Sequence, residues 1–162
     1  MTAKRRPHSA RPAPLSKSEQ MARVRSKDTD AELLLRRALW SAGLRYRVTA
    51  RKLPGTPDIT FGSTKLAVFV DGCFWHGCPE HYTKPRANDS FWQEKLRRNR
   101  ARDERVDAEL AALGWLSVRV WEHEVYEDVG NVVDRVKTLV RQRAQSRIVT
   151  ALTRTMPGPS KP

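Results

Sequence analysis

The run Val68 to His81 reads VFVDGCFWHGCPEH and holds both cysteines and two of the four histidines of a 162-residue chain. Thiolates and imidazoles are ligands that zinc takes in a tetrahedron, and close spacing of at least three of them lets one loop wrap the ion. Cys73, Cys78 and His81 stand five and three residues apart. A fourth ligand must come from elsewhere. His123, in Val-Trp-Glu-His, is the best candidate, because the end of a neighbouring strand would lie beside the loop. The C-x4-C spacing is not a common finger pattern, and a pair of buried thiols with two surface histidines is the competing reading. His76 lies between the ligands and could itself be the fourth, but then Phe74 and Trp75 would be pulled into the metal loop. If His123 ligates instead, His76 is left free for acid–base work, which suits the ordinary titration range of imidazole.

Two more groups near this run could do chemistry. Asp58 follows Pro57 at the start of a predicted strand whose hairpin partner carries VFVDG. There it would face Asp71 and the backbone carbonyl of Val70, an oxygen-rich pocket of the kind Mg2+ prefers. Glu32 could join through a water, although it also occupies a capping-box position opposite Thr29. Phe74 and Trp75, beside a polar site on a basic protein, suit stacking on bases or wedging between them; ordinary core aromatics are the alternative.

These residues need elements to hold them. Thr29-Asp-Ala-Glu32 caps a helix with apolar residues at 31, 34, 35, 38, 39 and 42, stopped at Gly43. Arg45 to Val48 alternates like a short strand, Asp58 to Phe61 reads as a second and Lys65 to Val70 as a buried third, with Gly62-Ser63 as the turn between the last two. A long helix is predicted from about Ser90 to Leu113, a fourth strand over Leu116 to Trp121, and a last helix with Val129, Val132, Val133, Val136, Leu139 and Val140 on one face. The order α-β-β-β-α-β-α predicts a mixed α/β sheet flanked by helices. Residues 1–20 read as a disordered basic arm, 21–146 as the folded domain and 147–162 as a loose tail.

The long helix has an interrupted stripe. Trp92, Leu96, Val106, Leu110 and Leu113 repeat at steps of four and three, but the two missing members are Asn99 and Asp103. Burying an amide and a carboxylate unpaired costs several kcal/mol. Either the stripe rolls to the surface among its many arginines, or a polar site lies between helix and sheet with Asp103 holding a partner, for which histidine is the natural choice.

Composition narrows the class of partner. The chain has 31 Lys+Arg against 18 Asp+Glu, a net charge of +13, and residues 1–27 hold eight Lys/Arg against one Glu. Such chains favour polyanions, nucleic acid first, unless the whole source proteome is basic. No apolar run approaches the ~20 residues of a membrane span, and the basic N-terminus lacks the apolar stretch of a secretory signal. Two cysteines without such a signal fit metal ligation or inert thiols better than a disulfide scaffold.

The motifs GTPD, VFVDGCFWHGCPEHY, FWxEKLxxNxxRD and LGWxSVRVWEHE resemble the very short patch repair (Vsr) DNA mismatch endonucleases, over roughly Ser18 to Glu124. The resemblance implies the restriction-endonuclease-like fold of the PD-(D/E)xK superfamily, with a structural zinc site. It also implies Mg2+-dependent nicking of duplex DNA 5′ to the mispaired thymine of a T:G mismatch left by 5-methylcytosine deamination.

Residue by residue, the resemblance makes Asp58 the central Mg2+ ligand and Val70 a carbonyl ligand. It makes His76 the general base or acid, oriented by Asp103. Phe74, Trp75 and Trp92 match the aromatic wedge, and Lys95 and Asn99 fall with them on the DNA side. Cys73, Cys78, His81 and His123 lie at or near the zinc ligands, and the arm from Ser18 to Thr29 matches one that closes on DNA. Asp71 stands where some members carry an assisting histidine, and Cys78, His81 and His123 exchange one zinc ligand type for another. Phe69 and Asp71 occupy the places of the superfamily's usual Glu-x-Lys, so without that lysine His76 must move the proton. The expected setting is a monomer in the bacterial cytoplasm, at the nucleoid, with mismatched DNA and mismatch-repair proteins as partners and no membrane. The alternatives are a related restriction-like nuclease with another DNA target and a zinc-containing DNA-binding module without catalysis.

Overall fold

A computed structural model describes residues 27–48, 52–85 and 88–155, with side chains as far as 148. The expected arm at 1–20 and the end of the expected tail lie outside the described residues. Helix α1 (Asp30–Ser41) opens on the anticipated capping box: Thr29 Oγ1 accepts from the Glu32 N–H and donates to Glu32 Oε1. Strand β1 (Ile59–Phe61) pairs antiparallel with β2 (Leu66–Asp71), and β2 pairs in parallel with β3 (Leu116–Trp121), giving the order β1-β2-β3. Between β2 and β3 run a one-turn helix α2 (Cys73–His76) and the long α3 (Asp89–Ala112). Helix α4 (Glu122–Thr155) follows β3 directly and is broken at Asp128, whose φ of −152° and ψ of 80° are not helical. It continues into the stretch expected as tail.

Alternation along the strands divides the core. Ile59, Phe61, Leu66, Val68 and Val120 pack with Ala31, Leu35 and Leu39 of α1 and with Val125, Val132, Val133 and Val136 of α4. On the opposite face Ala67 and Phe69 pack against Val106 and Leu110 of α3. The period-2 rule therefore sends Asp71 and Arg119 to the α3 side, with Phe69.

Two expectations need correction. The strand predicted at 45–48 is a single antiparallel bridge, Arg47 to Thr60. Side chains hold this segment instead: Tyr46 donates to the Arg36 carbonyl at 2.8 Å and Arg45 to the Trp40 carbonyl at 3.1 Å, both in or beside α1. Leu113, counted on the apolar stripe of α3, is 50% exposed, because the chain leaves the helix there to turn through Gly114 into β3.

The burial difference along α3 is testable by urea unfolding. Leu110 is fully buried, so Leu110→Ala is expected to cost about 2–5 kcal/mol, whereas Leu113→Ala should stay within about 0.5 kcal/mol of the parent. Equal losses would place the two leucines in the same environment.

Candidate active site and metal centre

The loop that follows β2 is shaped by its glycines and by α3. Gly77 ends α2 at φ +68°, and a Cβ there would press on Leu96 and Arg100 of α3. Asn99 Nδ2 donates to the Trp75 carbonyl at 2.8 Å, and Arg100 Nη2 donates to the Gly77 carbonyl at 2.9 Å. The gap in the α3 stripe is thus filled by polar contacts to the loop. Asn99 spends its amide on the backbone rather than presenting it outward.

Asp103, the second member of the gap, meets a histidine. Its Oδ2 lies 2.6 Å from His76 Nδ1. A carboxylate can only accept, so Nδ1 carries the proton in this contact, and in the neutral ring Nε2 would keep the lone pair. Asp71 Oδ1 is 3.8 Å from the same Nδ1.

His76 and Asp103 line one cleft with Glu32, Asp58, Val70 and Asp71, so the side chains singled out from sequence do converge. Asp58 Oδ2 accepts the Val70 N–H at 2.8 Å. Among the described residues its other oxygen has no hydrogen-bond partner. Burial is the largest influence on this carboxyl and pushes it up to about 6 from 3.8; the Val70 N–H opposes the shift, and Glu32 and Asp71 add to it. A half-buried carboxyl held high next to other acids gains from a cation, so the donor chemistry fits a hard divalent ion. Glu32 is more committed. It is 3% exposed, caps α1, accepts from the Asp28 N–H at 3.0 Å and pairs with Arg36 at 2.9 Å. Asp71 is also engaged, accepting from Arg119 Nη1 at 3.0 and 2.9 Å.

On the other side of the loop, one ligand atom each from Cys73, Cys78, His81 and His123 lie within 4.8 Å of one another. Two sulfurs and two nitrogens so close form a donor set suited to a tetrahedral ion such as Zn2+. His123 Nδ1 lies 3.2 Å from Cys73 Sγ and 3.5 Å from Cys78 Sγ, so the strand-end histidine does reach the loop. Burial pushes the Cys73 thiol up to about 11. Burial also raises Cys78, but the Glu80 and His81 backbone N–H groups and the His81 ring outweigh it, and this thiol ends below its ordinary value. A bound dication would favour both thiols as thiolates. Glu122 Oε1 accepts the Cys73 N–H at 2.7 Å and braces the first of the four.

The aromatic residues form one half-buried cluster. Phe74 meets Trp75 and Trp92 edge to face at centroid distances of 5.2 and 5.1 Å, and Lys95 Nζ sits 5.8 Å from the Trp75 ring. Phe91, 60% exposed, packs on Trp92 at 5.3 Å, and Tyr82 lies 6.3 Å from Phe74; neither was singled out from sequence. Lys27, within the arm expected to close on DNA, also lines the cleft, as do Arg102 and Arg119, which were not singled out as site residues. For Arg119 a signal existed: alternation in LSVRVW puts a charged residue on the face opposite Leu116, Val118 and Val120, which in a sheet covered by helices on both faces demands partners.

The family described as "DNA mismatch endonuclease Vsr" matches residues 12–82. The chain is similar to the type II nicking enzyme V.NaeI of Lentzea aerocolonigenes, 45% identical over 79% of this chain and 82% of that protein. It is 43% identical to the type II nicking enzyme V.XorIIP of Xanthomonas oryzae pv. oryzae, over 74% and 88% of the two chains. To the DNA mismatch endonuclease Vsr of Escherichia coli it is 36% identical, over 66% and 69%.

The raised Asp58 carboxyl has a sign that can be measured. The folded chain binds this proton more tightly than the unfolded chain, so stability falls as pH climbs from about 4 to about 6 and the penalty is complete above that. The shift from 3.8 to about 6 amounts to about 3 kcal/mol. Asp58→Asn keeps an acceptor for Val70 and loses the charge. In buffer without divalent cations it should melt higher than the parent at pH 8, the gap closing near pH 4; a gap independent of pH would contradict the burial of this charge.

Proposed function

The chain belongs to the Vsr family of DNA mismatch endonucleases, and from that premise we propose that it nicks one strand of duplex DNA 5′ to the mispaired thymine of a T:G mismatch, with Mg2+ in the Asp58 cleft and Zn2+ on the Cys/His cluster. The observation that carries this reading is the cleft itself. It joins a carboxyl whose pKa burial holds near 6 to a histidine tied at 2.6 Å to a half-buried aspartate. The mixed sheet flanked by helices accords with the restriction-endonuclease-like fold of the family.

Asp58 would hold the magnesium through its uncommitted oxygen, with the Val70 carbonyl as a second ligand. The ion, when bound, supplies positive charge for the phosphate and an acidified water. Hydrolysis also needs a group to accept the water's proton. His76 Nε2 can accept it, because the other ring nitrogen is already a donor to Asp103, and the imidazolium that results stays paired with that carboxylate. Asp71 and Glu32, both engaged by arginines, shape the field of the cleft. No Glu-x-Lys lysine is present, so the proton falls to His76.

The cluster of Phe74, Trp75 and Trp92 lies on the same loop and helix as His76 and Asp103. Its half-buried rings are placed to enter a duplex where pairing is weak, at a cost in unstacking that a mismatch lowers. Lys95, beside Trp75, adds a charge for the backbone phosphates. Cys73, Cys78, His81 and His123 would hold Zn2+ and pin this loop to the start of α4, fixing both the wedge and His76. No helix among the described residues is long and apolar enough to cross a membrane.

Two experiments test the proposal. Incubated with Mg2+, the chain should nick a T:G duplex and leave matched T:A and C:G duplexes intact. Asp58→Ala should abolish nicking while mismatch binding persists, and His76→Ala should lose on the order of 10²-fold or more. The His76→Ala/Asp103→Asn double variant should be little worse than His76→Ala alone. Nicking that survives Asp58→Ala, or multiplying losses in the double variant, would break the mechanism.

Metal analysis of purified protein should find about one zinc per chain, and Cys78→Ser should lower both zinc content and melting temperature. Active protein without zinc would remove the cluster from the account.

A further inference from the structure

His76 Nδ1 has one proton and two carboxylates near it, Asp103 Oδ2 at 2.6 Å and Asp71 Oδ1 at 3.8 Å. What decides between them is a third residue. Arg119 reaches from β3 into the space between sheet and α3, its guanidinium 4.9 Å from the centre of the Phe69 ring. Nη1 donates to both oxygens of Asp71, Nη2 lies 3.3 Å from Asp103 Oδ1, and Nε donates to Asp107 Oδ2 at 3.2 Å. One fork therefore serves three aspartates, and the planar geometry that permits this belongs to arginine and not to lysine.

We propose that Arg119 is a positioning residue for the reaction. By occupying both oxygens of Asp71 it keeps that buried carboxylate away from His76 and from the cation, leaves Asp103 as the sole partner of the imidazole, and reserves the cation for Asp58. The inference rests on the reading of the cleft as a nuclease site. Asp71 is 6% exposed and closes β2 directly above the cleft. Released from Arg119, its charge would have two nearby outlets, the His76 N–H and a cation on Asp58. Either outlet spoils the geometry: the first turns the ring away from Asp103, the second draws the cation off its anchor. The Phe69 ring and Asp107 also hold the guanidinium, so the fork is set before substrate arrives.

The test uses the full chain with Mg2+ and a T:G duplex, under single turnover with protein in excess, together with duplex Kd, zinc content and melting temperature. Arg119→Gln should slow nicking about 10- to 100-fold, as outer-shell partners of metal sites do, while Kd moves less than about threefold. Arg119→Lys should recover part of the rate, because one ammonium cannot span Asp71 and Asp103 together. The decisive variant is Asp71→Asn/Arg119→Gln. It removes the stray carboxylate along with its keeper, and should fold and nick faster than Arg119→Gln alone even if the single variant is unstable. Arg119→Gln within about twofold of the parent rate, or a folded double variant no faster than Arg119→Gln, overturns the inference while leaving the nuclease reading in place. A parent chain that nicks no duplex overturns both.

Discussion

The in-register parallel pairing of β2 with β3 is the constraint from which the rest of the structure follows. It sets Asp71 beside Trp121 and Phe69 beside Arg119, so both strands end at the same level. The loop leaving β2 and the helix leaving β3 then start side by side. Hence His123, the second residue of α4, meets Cys73, the first of α2, although 50 positions separate them. A parallel pair needs a long crossover, and α3 provides it, lying over the face that carries Asp71 and Arg119. A slip of one residue would put Arg119 and Asp71 on opposite faces of the sheet, one of them on the apolar face packed by α1 and α4, and would break their pairing.

The seam between α3 and the sheet is apolar at one end and ionic at the other. Val106 and Leu110 bury against Ala67 and Phe69, and a turn or two earlier Asp103 and Asn99 meet the loop. A charged network of this kind adds little net stability over an apolar seam of the same shape, because desolvation offsets most of the attraction between partners. It does specify one arrangement. Each carboxylate has a partner, and the imidazole has its tautomer set. A helix that only had to stay folded would have continued its leucines through positions 99 and 103; the polar break marks where α3 holds the site.

Charge is distributed with opposite signs at two scales. The chain as a whole carries +13, which draws it to a polyanion. Its cleft gathers Glu32, Asp58, Asp71 and Asp103, which alone would repel a phosphate. The two are compatible only if cations intervene. Arg36 and Arg119 pair with Glu32 and Asp71 from within, which leaves Asp58 without an ion pair among the described residues. Burial is the main reason its proton is held so high, and Arg36 works against it. Under the proposed function, binding and chemistry would be separated in space: the basic surface would attract DNA, and the cleft would accept a phosphate only with a metal to compensate its acids.

Much of this was legible in the residues themselves. Capping at Thr29, the valine stripe of α4, the buried run of β2, the ligand spacing from Cys73 to His81 and the missing stripe members Asn99 and Asp103 are all local patterns. Local backbone geometry and the cost of burying polar groups act on them directly, so they can be read without knowing the fold. The segment at 45–48 alternates like a strand, yet became one bridge because side-chain contacts to α1 outweighed a ladder. Leu113 kept the period of its stripe and lost its burial, since whether a helix end is covered depends on where the chain turns. The sequence nominated His123 for the Cys/His cluster and a histidine for Asp103. Only the tertiary structure decided that both arrive, that Asp71 takes Arg119, and that one oxygen of Asp58 has no partner among the described residues. Those outcomes depend on which strand lies beside which and in what register. Register is settled by the summed burial of two whole faces, and no short stretch of sequence carries that sum.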